Sequence, residues 1–270
     1  MNVIFLIARD SIRALLHQRL LIGLMLVCLA MTVFFSAMMS RMRENITTQF
    51  DTSAQTNSPA FQKMSEEDKK KMNEAMEQGT SYVQGFFYAA SSFGGSLVAL
   101  MIFSTAVTSE VRRGTIRLTL SKPVSRVEYL LGKYFGGVAV MAGYAIITSI
   151  AVLIFSATEK VELSPALHYA PWLMFCWQLM LGSVAMLFSL FVHPAIGAVV
   201  AFFAGNGLCS TANPFYYLLP SYAPFNVFLD ILQGSIMKGT DVILLTLYAL
   251  DFIVLMLLLA LWRFQKKEVC

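Results

Sequence analysis

Apolar residues in this chain come in nearly unbroken blocks of about 20, the length a helix needs to cross a bilayer. Six such blocks are predicted to span: residues 20–40, 82–108, 134–157, 171–192, 195–212 and 242–262. The strict alternation of a barrel strand is absent, and helices are then what satisfies a backbone in hydrocarbon. The fold class that follows is an all-α polytopic membrane protein, with residues 1–270 forming a single transmembrane domain.

The segments between the blocks carry the remaining pattern. Residues 1–19 read as an amphipathic interfacial helix, with Phe5, Ala8, Ile12, Leu15 and Leu16 on one face and Arg9, Asp10, Arg13 and His17 on another. Residues 41–81 form an external loop, in which Ser65-x-x-Asp68 caps a helix running to about Met76 and Gly79 stops it. A loop of this length suits a contact with cargo or with a periplasmic accessory protein, and equally a solvated helical flap. The block at 82–108 holds small residues four apart (Ala90 and Gly94, Ser91 and Gly95, Ser92 and Ser96), which let another helix approach closely. Pro171 fits the first turn of its helix. Residues 213–241 are apolar and aromatic yet broken by Pro214, Pro220 and Pro224, so they are expected to form a re-entrant external hairpin between the fifth and sixth spans. Tyr216, Tyr217 and Tyr222 suit the interfacial belt there.

Composition sharpens this. Of 270 residues, 57% are apolar and 13% charged, about half the charge of an ordinary soluble domain. The net charge of +4 follows the membrane and is no sign of nucleic-acid binding. With both termini cytoplasmic, the inner segments hold 12 Lys and Arg against 4 acids and the outer ones 8 against 11. That bias favours six spans and an inner-membrane orientation with basic loops inside. Cys28, Cys176, Cys209 and Cys270 form no disulfide framework.

Residues 109–133 are the polar segment between the second and third spans. Six basic residues against two acids give it a net charge of +4. Gly114 is expected to break the helix descending from the second span, Pro123 resets the chain, and Ser125-x-x-Glu128 is a capping box that starts the next helix. The run Glu110-x-x-x-Gly114-Thr115, then Leu120-Ser121-Lys122-Pro123-Val124-Ser125-Arg126, then Gly132-Lys133, resembles the cytoplasmic signature of ABC-2 type permeases. The first external loop is longer than in the simplest members.

The resemblance implies a permease subunit, itself not an enzyme, that works as an ATP-driven exporter. It implies a separate ABC ATPase subunit that binds ATP and Mg²⁺, with no cofactor in this chain, and a second permease chain, a homodimer in preference to a heterodimer. Glu110, Arg112, Arg113, Gly114 and Thr115 would form the docking element, Pro123, Ser125, Arg126 and Glu128 would fix its return into the membrane, and Pro214, Tyr216, Tyr217, Pro220, Tyr222 and Pro224 would be the candidates for an external gate. No Walker A motif occurs: Gly132-Lys133-Tyr134 lacks the earlier glycine and the hydroxyl. One alternative is a membrane subunit that drives a periplasmic partner in assembly or maturation, copper-related maturation included. Another is a secondary transporter using Asp251, the one acid deep in a span, whose role lies between helix packing and lining a pathway. The methionines Met38, Met39, Met42, Met64, Met72 and Met76 are read as apolar filler in preference to a Cu(I) site, and no metal site is expected. His193 reads as a turn residue. Gly197, Ala201 and Gly205 make a smooth ridge for helix packing or for the dimer seam.

Overall fold

A computed structural model describes residues 3–16, 66–113, 124–159, 164–206 and 222–266, with isolated helical positions between 23 and 41. Its regular elements, among the described residues, are all helical. In order they are α1 (Val3–Leu16), α2 (Glu66–Thr105), α3 (Thr108–Arg113), α4 (Arg126–Glu159), α5 (Ala170–Phe191), α6 (Pro194–Asn206), α7 (Phe228–Gln233) and α8 (Gly239–Lys266). Short 3₁₀ turns lie at Pro165–His168 and Ala223–Phe225.

Four of the described helices are long and apolar enough to cross a membrane: α2 from Ser81 to Thr105, α4 from Arg126 to Ile154, α5 from Ala170 to Ser189, and α8. The block at 20–40 lies outside the described residues apart from isolated positions. Helix α6 is apolar but 13 residues long, about 20 Å at helical rise, and 207–212 also lie outside the described residues. Four spans of the six expected are therefore described.

Helix α5 is the central post. Its apolar window is 78% buried, against 22% for α8, and it packs against α2, α4, α6 and α8. Trp177, Met180, Leu181, Val184 and Ala185 are fully enclosed. Glycines set the closest approaches. A methyl group on Gly182 would collide with the ring of Phe103, and one on Gly137 would lie 2.6 Å from that ring's Cε1. Phe103 of α2 is thus clasped between α4 and α5, with the Tyr134 ring centroid 5.0 Å away.

The structure departs from the expected local pattern at three places. Gly79 does not stop a helix: α2 runs through it for 40 residues, about 60 Å. A glycine inside a helix costs about 1 kcal/mol, too little to end one that an apolar span continues. The descending helix is also interrupted at Ala106 and Val107, and the next helix is described to Arg113; the break expected at Gly114 falls outside the described residues. At the interruption the hydroxyl of Thr105 donates to Met101 O at 2.6 Å and that of Thr108 to Ser104 O at 2.7 Å, side-chain competition that bends helices.

Finally, the stripe that α1 buries overlaps the expected face only in part: Leu15 is buried and Ala8 and Ile12 are half-buried. Ile7, Ser11 and Leu15 face inward, while Phe5 is 63% exposed beside the Arg9 and Arg13 face. The reason lies on α4. Gly132 and Gly136 form a flat strip on which α1 sits so closely that added methyl groups would lie 2.7 Å from Ile7 Cβ and 2.6 Å from Ser11 Cβ. The helix is docked on the bundle as well as amphipathic.

Candidate functional site

The segment between the second and third spans is built by local chemistry at both of its described ends. At the return, the expected capping box is formed. Ser125 N and Oγ both reach Glu128 Oε2, at 2.9 and 2.8 Å, and Glu128 N donates back to Ser125 Oγ at 3.1 Å. These bonds satisfy otherwise orphaned donors of the first turn and fix where α4 begins. The side chain of Arg126 then crosses to the end of α8, donating to Phe264 O at 3.2 Å and Gln265 O at 2.8 Å. Two terminal carbonyls of α8 thereby gain a cationic partner, as a helix C-terminus favours.

At the descending end, α3 carries Glu110, Arg112 and Arg113. Glu110 is turned toward α4. Its Oε2 accepts from the Tyr129 hydroxyl at 2.7 Å, and its Oε1 pairs with Lys133 Nζ. The Lys133 side chain is 9% exposed and that of Glu110 26%, so the pair sits mostly out of water. Tyr129 is fully buried, and Lys133 Nζ lies 5.7 Å from its ring centroid. Tyr129 in turn stacks on Phe264 of α8 at 5.9 Å. A small cavity of about 30 Å³ between Ser11, Leu15, Thr105, Glu110 and Lys133 brings α1 to the same point. One carboxylate therefore ties α3 to α4, beside α1 and α8.

Gly114, Thr115 and Pro123 lie outside the described residues. Sequence reasoning named Glu110, Ser125, Arg126 and Glu128 and quoted Lys133 within the signature, but did not pair Lys133 with Glu110 and did not single out Tyr129. A signal was present: Tyr129 and Lys133 stand one turn apart on one face, and Lys133 has few acids within reach.

The other expected sites are more dispersed. Of the external gate, Tyr222 and Pro224 are described, whereas Pro214, Tyr216, Tyr217 and Pro220 are not. The described half, 222–238, lies across the ends of α2 and α5. Tyr88 Oη donates to Phe225 O at 2.9 Å, Tyr222 and Trp177 rings are 5.2 Å apart, and Phe228 packs on Gly85. Helix α7 ends at Gly234, whose φ of 62° closes the turn while Ser235 N donates to Asp230 O at 3.0 Å. Gly197 packs on the α5 backbone, where a methyl group would lie 2.9 Å from Ser189 N, and Ala201 is fully buried. The ridge at these two positions serves the α5–α6 hairpin; Gly205 lies in α6. His193 holds the turn before α6, its Nδ1 3.3 Å from Ala195 N. Asp251 lies near the middle of α8 on its exposed face, with Leu247, Leu250, Val254 and Leu258. No group of three metal-ligating side chains occurs among the described residues.

Residues 5–169, more than half of the chain, match the family described as ABC-2 family transporter protein. No curated protein matches the chain.

Proposed function

Because this chain belongs to the ABC-2 transporter family, we propose that it is the permease subunit of an ATP-driven exporter with six spans, held in the inner membrane with both termini cytoplasmic. In this reading a separate ATPase subunit binds ATP and Mg²⁺ and docks under residues 109–133. Arg112, Arg113, Gly114 and Thr115 meet the ATPase. Glu110 acts as a positioning residue behind them, and Pro123, Ser125, Arg126 and Glu128 set the return into α4. Closure of the ATPase pushes α3, the push passes into α4 and α8, and the spans rock about α5, with residues 213–241 as the external gate.

The observation that carries the reading is the Glu110 tie. A basic loop that merely set topology would have no need of a buried ion pair fastening its first helix to the next span. The position of Asp251 supports a second permease chain, a homodimer in this proposal. A carboxylate facing lipid at mid-span costs several kcal/mol, and a protein surface laid over α8 removes that cost.

The test is purification in mild detergent. A Walker-type ATPase is expected to co-purify with the native protein. Gly114→Leu is expected to reduce both its retention and permease-stimulated hydrolysis about tenfold, with membrane insertion intact. Unchanged retention together with unchanged hydrolysis would defeat the docking assignment.

The length of α2 favours a second reading, in which the subunit drives a periplasmic partner. Residues 66–80 continue the spanning helix for about 22 Å beyond it without a joint, which suits transmission of force outward. Deleting residues 65–76 separates the two. Export that survives the deletion counts against the second reading, and loss of a partner's activity with ATP hydrolysis retained supports it.

A further inference from the structure

Two cations at the end of α8 are held in place by the fold without a counter-charge. Arg263 and Lys266 both stand in its last turn, where basic side chains usually serve the terminal carbonyls. Here that task falls to Arg126, which donates to Phe264 O and Gln265 O. Arg263 instead lays its guanidinium over the Phe191 ring at the end of α5, 4.8 Å from the centroid. Its Nε is buried and has no acceptor. Lys266 folds back over Trp262, with Nζ 4.1 Å from that ring's centroid. Neither cation has an ion pair among the described residues. The two acids of residues 109–133 are engaged elsewhere, Glu110 by Lys133 and Glu128 by Ser125.

The helix surface leading up to these cations is apolar and continuous. Leu255, Leu259 and Trp262 are exposed, and with Lys266 they recur at the spacing of a single helix stripe. From Leu255 to Lys266 the stripe is about 16 Å long, close to the ~15 Å hydrocarbon depth of one leaflet. At about 100° per residue, Lys266 falls between Trp262 and Arg263 round the helix, so rings and cations form one patch at the stripe's end. An apolar bed one leaflet deep that ends in two cations matches an amphiphile with an acyl chain and an anionic phosphate. The ring of Phe191 covers one face of the guanidinium, and the donors at its edge can still fork around phosphate oxygens.

We propose that Phe191, Trp262, Arg263 and Lys266 form a site for an anionic phospholipid, whose phosphate meets the two cations while an acyl chain lies along Leu255 and Leu259. A zwitterionic headgroup brings a cation of its own, so the site selects net negative charge. An acidic patch on a soluble partner fits less well, because Arg263 is folded onto a ring of a spanning helix, where a lipid arrives from within the bilayer. The stripe lies about 50° round α8 from Asp251, so a second permease chain on that side leaves the site at its margin. The orientation proposed above puts the lipid in the inner leaflet, but its binding depends neither on that orientation nor on the ATPase.

The full chain is reconstituted in phosphatidylcholine nanodiscs with rising fractions of brominated phosphatidylglycerol or, in parallel, of brominated phosphatidylcholine. Tryptophan quenching is read, and the share due to Trp262 is the difference from Trp262→Phe. A cation near the surface is worth about a factor of five, so phosphatidylglycerol is expected to win the site at least about tenfold. Arg263→Gln and Lys266→Gln should each cut that preference at least about threefold. Arg9→Gln, on the exposed face of α1, should leave it unchanged. Equal quenching by the two lipids would overturn the site, and so would a loss with Arg9→Gln as large as with Arg263→Gln, the mark of a diffuse surface field. Relief of the quenching by millimolar inorganic phosphate would make it a site for a free anion and end the lipid assignment. Lost retention of a co-purifying ATPase in Lys266→Gln, with lipid preference intact, would make it a protein contact instead. Should Arg263→Gln fail to insert, Lys266 is exposed and its variant carries the test alone.

Discussion

Glu110→Ala is expected to destabilise the protein by about 3 kcal/mol, the cost of stranding a mostly buried cation. Lys133 is 9% exposed at its side chain, and Glu110 is the anion to which it is bonded. Removing the carboxylate also deprives the buried Tyr129 hydroxyl of its acceptor at 2.7 Å. Glu110→Gln should cost less, since the amide oxygen still accepts from either neighbour. The double variant Glu110→Ala/Lys133→Met should recover much of the loss, because it removes the charge along with its partner. Thermal unfolding of the purified protein in detergent checks all three. A loss below about 1 kcal/mol for Glu110→Ala would mean that the pair behaves as a solvent-screened surface bridge. If the pair also fastens α3 for the ATPase, the double variant will be folded yet poorly stimulated, which separates stability from coupling.

A second large effect is expected at the α1 seat. Gly136→Leu places a branched side chain where a single methyl group would already lie 2.6 Å from Ser11 Cβ and 3.1 Å from Ala8 O. The obstruction includes backbone, which cannot rotate aside, so α1 must lift as a unit. Overpacking of this kind costs typically about 1–3 kcal/mol. The visible consequence is proteolytic: Arg9 and Arg13 are exposed but held in a helix against α4, and trypsin should cut there at least about tenfold faster once the helix comes away. Gly143 is the control, since nothing lies within 4 Å of a methyl group at that position of the same helix. Gly143→Leu should leave the cleavage rate alone. Equal protection in both variants would show that α1 is not seated on the glycine strip.

These results bear on what the sequence could disclose. The capping box at Ser125 and Glu128 was legible because both partners lie within one turn, and no distant residue decides whether they meet. The spans at 171–192 and 242–262 were legible for a similar reason, since their length and apolarity are set locally. The two glycines Gly79 and Gly234 mark the limit. Each follows a glutamine and precedes a small hydroxyl residue. Gly234 ends its helix because Ser235 turns back, its backbone to Asp230 O and its hydroxyl to Asp230 Oδ1 at 2.7 Å. Gly79 is followed by an apolar span that carries the helix on. Which outcome prevails depends on what comes next in space, and the tripeptide alone is silent about it. The buried face of α1 was only partly legible for the same reason: its stripe is selected by Gly132 and Gly136, more than a hundred residues further on. Within the candidate site, Glu110 was recognisable as unusual, but its partners became visible only when α3 and α4 were placed side by side.

The bond from Arg126 to the last carbonyls of α8 has a practical corollary. It fastens the final turn of the described chain to the very residue at which α4 sets out, so a displacement on one side must register on the other. A fluorophore attached near Gln265 should therefore act as a gauge of the segment between α3 and α4. Its signal could be followed through a nucleotide cycle without altering a residue of that segment.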